Sequence, residues 1–404
     1  MRHSTSRVLT THVGSLVRPL EVMEFMKAIE KGLVIDEQTF AGVLRSAVAE
    51  VVRRQAEIGI DVVSDGEYGK RGWSQYVTER LTGFERRECM PGERPTPVFA
   101  PLDRRRFAGF YEIYDRLEKC LWLPQTDWIT ASMTPEHPVD WICTGPVRYR
   151  GEAAVRRDIA NFKAALAEVR VEEAFMPVVA PCSAEAVRAN AYYPTQEDYL
   201  FAIAEALKVE YRIIIEAGFV LQVDDAFLPM QYTRMAEMEG VEAYRKWAQV
   251  RIDALNYALD GIPPEHVRYH VCWGSQNVPH TSDVPLRAIV DLILQVNAGA
   301  YSIEAANPRH EHEWQVWEDV RLPAGKILIP GVVSHATNVV EHPELVAWRL
   351  KNFARLVGRE RIIAGTDCGF SQNWNLIRVH HTIQWAKLES LVEGARLASK
   401  QLWS

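Results

Sequence analysis

Residues 39–65, TFAGVLRSAVAEVVRRQAEIGIDVVSD, contain one whole unit of the fold. Apolar residues recur at Phe40, Val43, Leu44, Ala47, Val48, Val51 and Val52, the spacing of a helix that buries one face. Gly59 is placed to stop that helix, since glycine takes the left-handed conformation without a Cβ penalty. Ile60-Asp61-Val62-Val63 then reads as a short buried strand, and the chain arrives at a carboxylate, Asp65. The order is helix, glycine, strand, acid.

The same order recurs along the chain. Leu200, Ile203, Leu207 and Ile214 mark a helix ended by Gly218, followed by Phe219–Val223 and Asp224. Leu286, Ile289, Val290 and Ile293 lead to Gly299 and then to Tyr301-Ser302-Ile303-Glu304. A looser copy has Leu350, Phe353 and Leu356 before Gly358, and Arg361–Ala364 running into Asp367 and Cys368. Helices alternating with short buried strands predict a parallel sheet, and functional residue types at successive strand ends predict the C-terminal mouth of an α/β (β/α)8 TIM barrel. Eight strands are expected near 10–15, 60–65, 174–180, 219–224, 267–272, 299–304, 327–333 and 361–366. No Gly-x-Gly-x-x-Gly follows a strand, so a doubly wound dinucleotide fold lacks its fingerprint. Residues 81–151, rich in Pro, Trp and Arg, break the rhythm and read as an insertion after the second strand. That position suits an arm or lid over the mouth, and equally an oligomer contact.

Bulk properties narrow the partners. A chain of 404 residues, 48% hydrophobic and 25% charged, suits one large soluble barrel. A formal charge of −7 and a pI near 6.0 give no long-range attraction for nucleic acid or an anionic membrane, so small molecules are the expected partners. Six scattered cysteines, Cys89, Cys120, Cys143, Cys182, Cys272 and Cys368, lack the spacing of a disulfide framework and point to a reducing cytoplasm. The opening residues have no apolar run of signal-peptide type, and no stretch approaches a membrane span.

His270 and Cys272 in YHVCWG lie two apart, so on a strand they face the same side. Glu304 in YSIEAA and Cys368 in GTDCGF end later strands, so four ligands of the types zinc prefers converge from three strand ends. Each has a plainer competitor: either cysteine alone suits packing, and Glu304 is also placed to cap the next helix. Asp65 and Glu67 suit a solvated loop as well as a site, and Asp224 with Asp225 suits a helix start. His310 and His312 in PRHEHEW fall in a charged loop and are expected at the surface. The runs Arg86-Arg87 and Arg104-Arg105-Arg106 suit a solvated face or, folded over the mouth, an anionic group of a ligand. Trp73, Trp122, Trp128, Trp141 and Trp273 are candidates either to stack a pterin or to fill core.

The segments HVGSLVRP, DVVSDGEY, LQVDDAFL, YHVCWG, YSIEAA, PGVVSH and GTDCG, in this order, resemble the catalytic barrel of cobalamin-independent methionine synthase, a superfamily that also contains epoxyalkane:coenzyme M transferase. The resemblance implies a zinc-dependent transfer of a methyl or other alkyl group to a small-molecule thiol, with a folate as one candidate methyl donor. It assigns His270, Cys272, Glu304 and Cys368 to zinc, and Ser15, Glu67 and Asp224 to an amino-acid thiol. His335 in Val-Ser-His is assigned the handling of a proton, a task to which imidazole suits. The chemistry is coherent: a free thiol of pKa about 8.5 is mostly protonated at neutral pH, and zinc deprotonates it while leaving it nucleophilic. Two departures fall in the thiol pocket. The family's Asp-Glu-Pro is Asp224-Asp225-Ala226, and Glu304 is followed by Ala-Ala-Asn-Pro rather than a polar run. The duplicated N-terminal barrel of that synthase is expected to be absent, which removes part of the docking surface for a polyglutamylated folate.

Overall fold

The computed structural model describes residues 1–88, 100–117, 139–375 and 377–404. Its strands are β1 (Leu9–Thr10), β2 (Val62–Val63), β3 (Phe84–Glu88), β4 (Val139–Cys143), β5 (Glu173–Val179), β6 (Arg188–Asn190), β7 (Val220–Asp224), β8 (Val267–Val271), β9 (Ala300–Glu304), β10 (Ile327–Val333) and β11 (Ile363–Thr366). Eight of them pair in the order β1-β11-β10-β9-β8-β7-β5-β2, all parallel, and a bridge between Thr11 and Val62 joins the two ends. The sheet is therefore a closed (β/α)8 barrel, as the repeating unit predicts. No helix among the described residues is long and apolar enough to cross a membrane.

The helix from Glu37 to Ile58 forms as read. Asp36 caps its start by accepting from Gln38 N and Thr39 N, and Gly59 ends it at φ 92°. Its buried stripe, Leu44, Ala47, Val48, Val51 and Val52, packs into the shell between helices and sheet. Each fully buried Val or Leu there contributes about 1.5–3 kcal/mol. The unit before β9 differs: residues 286–293 make only a 3₁₀ turn, Leu286–Ala288, and one helical turn, Val290–Ile293. The apolar pattern there has helical spacing but spans too few residues to propagate a helix. The first strand is also shorter than expected: Thr11 still donates to Ala364 O at 2.8 Å, and the residues after it leave the ladder toward the mouth.

Strand alternation sorts the interior. On β8, Val267, Tyr269 and Val271 pack outward against the helices, while Arg268 and His270 face the barrel. Leu9, Ala300, Ile327, Ile329 and Ile363 form a separate apolar cluster toward the strands' N-terminal ends. Above it Arg268 donates to Gln222 Oε1 at 2.6 Å and Thr11 Oγ1 at 3.0 Å, with its guanidinium 3.6 Å from the Phe175 ring centroid. The lumen is thus apolar at the bottom, polar in the middle and reactive at the top.

A small sheet was not foreseen. β3 and β4 pair antiparallel, and β6 adds beside β4. Two helices, Pro101–Arg106 and Ala108–Leu117, also belong to the interval read as an insertion. Buried Asp103 accepts from Thr281 N at 2.8 Å and from Thr281 Oγ1, so this part rests on the loop beyond β8, at the rim of the mouth. Arg87 pairs with Asp140 at 3.1 Å and Arg104 lies over Tyr111 at 4.4 Å. Cys89, Cys120, Trp122 and Trp128 lie outside the described residues.

Candidate metal centre

His270 is the penultimate residue of β8, and Cys272 follows the strand on the same face. Cys368 arrives just past β11 from across the barrel. Ligand atoms of His270, Cys272 and Cys368 lie within 4.8 Å of one another, and all three residues are buried. His270 Nδ1 faces Ser302 Oγ at 3.2 Å, which fixes the ring, while the buried Nε2 has no hydrogen-bond partner among the described residues. A buried imidazole nitrogen left open beside two thiols fits a zinc ion, with Ser302 orienting the ligand from behind.

The two sulfurs are inequivalent. The Cys272 thiol and the His270 imidazole hold Cys368 well below the usual thiol range, and Ser275 Oγ lies 3.4 Å from its sulfur. Cys272 is pushed up by its contact with Cys368 and by burial. Glu304 stands beside the trio rather than within it. One oxygen accepts from Trp273 N at 3.1 Å and the other from Asn307 Nδ2 at 3.1 Å. Burial raises its carboxyl to about 7. Asp367 holds the turn beyond Glu304, accepting at Oδ1 from Ala305 N at 2.8 Å and Ala306 N at 2.9 Å.

A pocket of ≈ 140 Å³ opens above the trio. Ser15, Glu67, Asp224, His270, Cys272 and Cys368 line it; Glu304 and His335 do not. Glu67 sits at φ 58°, a strained setting for a non-glycine residue, and Arg18 holds its carbonyl at 2.9 Å. Its carboxylate meets Lys70 Nζ at 3.1 Å in a buried ion pair. Asp224 accepts from Gln222 Nε2 at 2.7 Å, and burial and the neighbouring Glu67 charge raise its carboxyl well above the usual range. Both acids are therefore buried in the pocket lining; Asp65 is buried as well but lies outside it, accepting from Glu67 N at 2.9 Å. Asp225 instead is structural, bonded to Ser183 Oγ at 2.6 Å and Tyr269 OH at 2.9 Å.

His335 lies near Cys368 and His270, with both ring nitrogens buried and unpartnered among the described residues. Burial holds it down to about 4, so its imidazole is neutral at neutral pH. His310 departs from expectation. It is buried, stacked on Trp273 at 4.2 Å, and bonded to Glu313 at 2.8 Å and Asp283 at 3.2 Å. The loop's acids are consumed internally by His310 and His280, which lets the segment fold inward; His312 is exposed as expected.

Sequence reading missed Arg378, Gln276, Gln372 and Asn373, which add polar groups to the pocket, and Met230 and Phe227, which add apolar wall. Trp73 joins that wall, stacked on Phe227 at 5.7 Å. None of the missed residues sits at a strand end or in a periodic run.

The family model described as cobalamin-independent synthase, catalytic domain, matches residues 8–172 and 183–389. A methionine synthase of Pyrococcus furiosus is 22% identical over 394 residues, 97% of this chain and 93% of its own. A 5-methyltetrahydropteroyltriglutamate–homocysteine methyltransferase of a Chelativorans species is 25% identical, across 96% of this chain and 42% of its own length. Among solved structures, a B12-independent methionine synthase of a Shewanella species, in complex with selenomethionine, superposes with TM-score 0.70 at 18% identity, covering 98% of this chain and 99% of that one. The chain belongs to the cobalamin-independent synthase family, a family of methyltransferases of the methionine synthase type.

Proposed function

We propose that this family member transfers a methyl group, from a folate-type donor, to the sulfur of an amino-acid thiol of the homocysteine class, with zinc at His270, Cys272 and Cys368. Glu304, which borders the trio and now accepts from Trp273 N and Asn307 Nδ2, would be the fourth zinc-side group. The observation that carries the reading is the meeting of these three ligands on the floor of a pocket whose other charged residues are Glu67, Asp224 and Arg378. Two carboxylates and one guanidinium complement a zwitterion: the acids take the ammonium and Arg378 takes the carboxylate. Zinc, when bound, supplies a Lewis acid that makes the thiol a thiolate at neutral pH. Ser15, held by its carbonyl to Phe370 N at 2.8 Å, orients the amino acid at the pocket entrance. Trp73, Phe227 and Met230 exclude water from the reacting sulfur. His335 serves the proton that accompanies transfer, its neutral imidazole being able to accept and return one. The described part of residues 81–151, seated on the rim through Asp103 and Thr281, serves as the arm that covers the mouth.

A second reading is favoured by one contact. Lys70 already neutralises part of Glu67, which weakens the ammonium clamp and leaves Arg378 to meet an anionic thiol, as in a coenzyme M-type alkyltransferase.

Zinc content per chain tests the core of the proposal. The native protein is expected to hold about one zinc and Cys272→Ser to lose most of it. A folded, active, metal-free native protein would overturn the reading. Methyl transfer to homocysteine against alkylation of coenzyme M then separates the two substrates.

A further inference from the structure

A second cavity lies away from the candidate metal ligands. It is a half-open cleft of ≈ 680 Å³ beside the N-terminal end of the helix His381–Leu402, between that helix, the helix Glu37–Ile58 and the loop after β1. Met23, Val51, Ile377 and the Trp385 ring give it apolar walls. The charged and titratable groups that face it are unbalanced. The helix Glu37–Ile58 presents Arg54 and Glu50, the loop after β1 presents Arg18, Tyr68 adds a phenol, and the last helix presents His380 and His381. Glu50 is already bound to Arg53 at 2.6 Å, and the Tyr68 hydroxyl donates to Val17 O at 2.9 Å. Arg54 forms no ion pair among the described residues; its guanidinium lies over Trp385, 4.4 Å from the ring centroid. Arg18 closes the floor, 2% exposed, with a buried Nε that has no partner among the described residues. His380 and His381 stand with ring centroids 4.2 Å apart at the entrance, where His380 Nδ1 caps the last helix by accepting from Thr382 N.

We propose that this cavity binds a small aromatic carboxylate. Planar walls of imidazole and indole suit an aromatic body, the volume suits a bicyclic one, and Arg54 supplies the charge that a carboxylate needs, with the imidazoles as ring N–H donors. The site is independent of the thiol pocket, yet one side chain joins them. Arg18 donates to Ser371 O at 3.2 Å, Glu67 O at 2.9 Å and Lys70 O at 2.7 Å, so the cavity floor holds the turn that carries Glu67.

Calorimetric titration with 2-naphthoate tests this on the full chain, with 2-naphthalenemethanol as the uncharged control. One site per chain is expected, weakened about fivefold or more by Arg54→Gln, by His381→Gln, or by loss of the probe's charge. His381 is exposed, so that variant keeps the fold and the test stays decisive even if the Arg54 variant does not. Asp224→Asn, in the other pocket, is expected to leave the affinity unchanged. No saturable binding, equal affinity for the uncharged control, or loss with Asp224→Asn but not with His381→Gln would overturn the proposal.

Discussion

Gly369 and Ser15 meet so closely that a Cβ built on the glycine would stand 2.0 Å from the Ser15 Oγ. The residue after the candidate ligand Cys368 is thus required to lack a side chain so that Ser15 can occupy the pocket. Gly369→Ala is expected to displace Ser15 or shift Cys368, at a cost on the order of 1–3 kcal/mol in stability. Thiol affinity should fall with it. Urea unfolding and thiol titration on the same preparation check both, and an alanine variant with unchanged thiol affinity would remove Ser15 from the site.

Arg378 is the cationic member of the pocket lining, and Asp224 one of its two acids. If a zwitterionic thiol is the acceptor, Arg378→Gln and Asp224→Asn should each raise its Kd by roughly tenfold or more, the scale of a charge-assisted hydrogen bond. An anionic thiol without an amino group would respond to the first substitution and hardly to the second. Direct binding of homocysteine and of coenzyme M to the two variants therefore separates the readings independently of turnover.

The fold was legible because the barrel repeats one unit whose parts each leave a mark. Gly59, Gly218 and Gly358 all adopt positive φ where a helix-stopping glycine was expected, and the barrel strands fall within a few residues of the apolar runs. The trio of His270, Cys272 and Cys368 was legible for the same reason, since strand ends fix where side chains point. Arg378, Gln276 and Gln372 were not, because they lie on loops whose path has no period. His310 was misread because a histidine in a charged loop resembles a surface residue until Asp283 and Glu313 are seen to fold back on it.

A buried three-charge cluster ties the start of the insertion to the barrel's helices. Arg80 meets Glu210 at 2.6 Å and Asp158 at 2.5 Å, with all three side chains at most 5% exposed. Removing the guanidinium leaves buried Glu210 without a cation and Asp158 with only the part-exposed Arg157, 3.1 Å away. Arg80→Ala is therefore expected to destabilise the protein by about 3–5 kcal/mol. Chemical denaturation checks the value, and a loss under about 1 kcal/mol would mean that water reaches the cluster.

His12 makes acid sensitivity a property of the barrel itself. Its ring is enclosed, with Nε2 2.8 Å from Gln55 Oε1 and Nδ1 accepting from Gly14 N at 3.1 Å, an arrangement that needs the neutral tautomer protonated at Nε2. Burial lowers its pKa from 6.5 to about 4. The unfolded chain takes up a proton below about pH 6.5 while the folded one resists until about 4, so this contribution is full above pH 6.5 and is lost as pH falls through 4. A shift of that size corresponds to about 3 kcal/mol. His12→Gln keeps a side-chain amide facing Gln55 but has nothing to titrate. Its stability should therefore be lower than native at pH 7 and should fall less steeply between pH 6.5 and 4. Matching slopes in native and variant unfolding over that interval would show that acid acts elsewhere, and the enclosed ring would then be only a packing element.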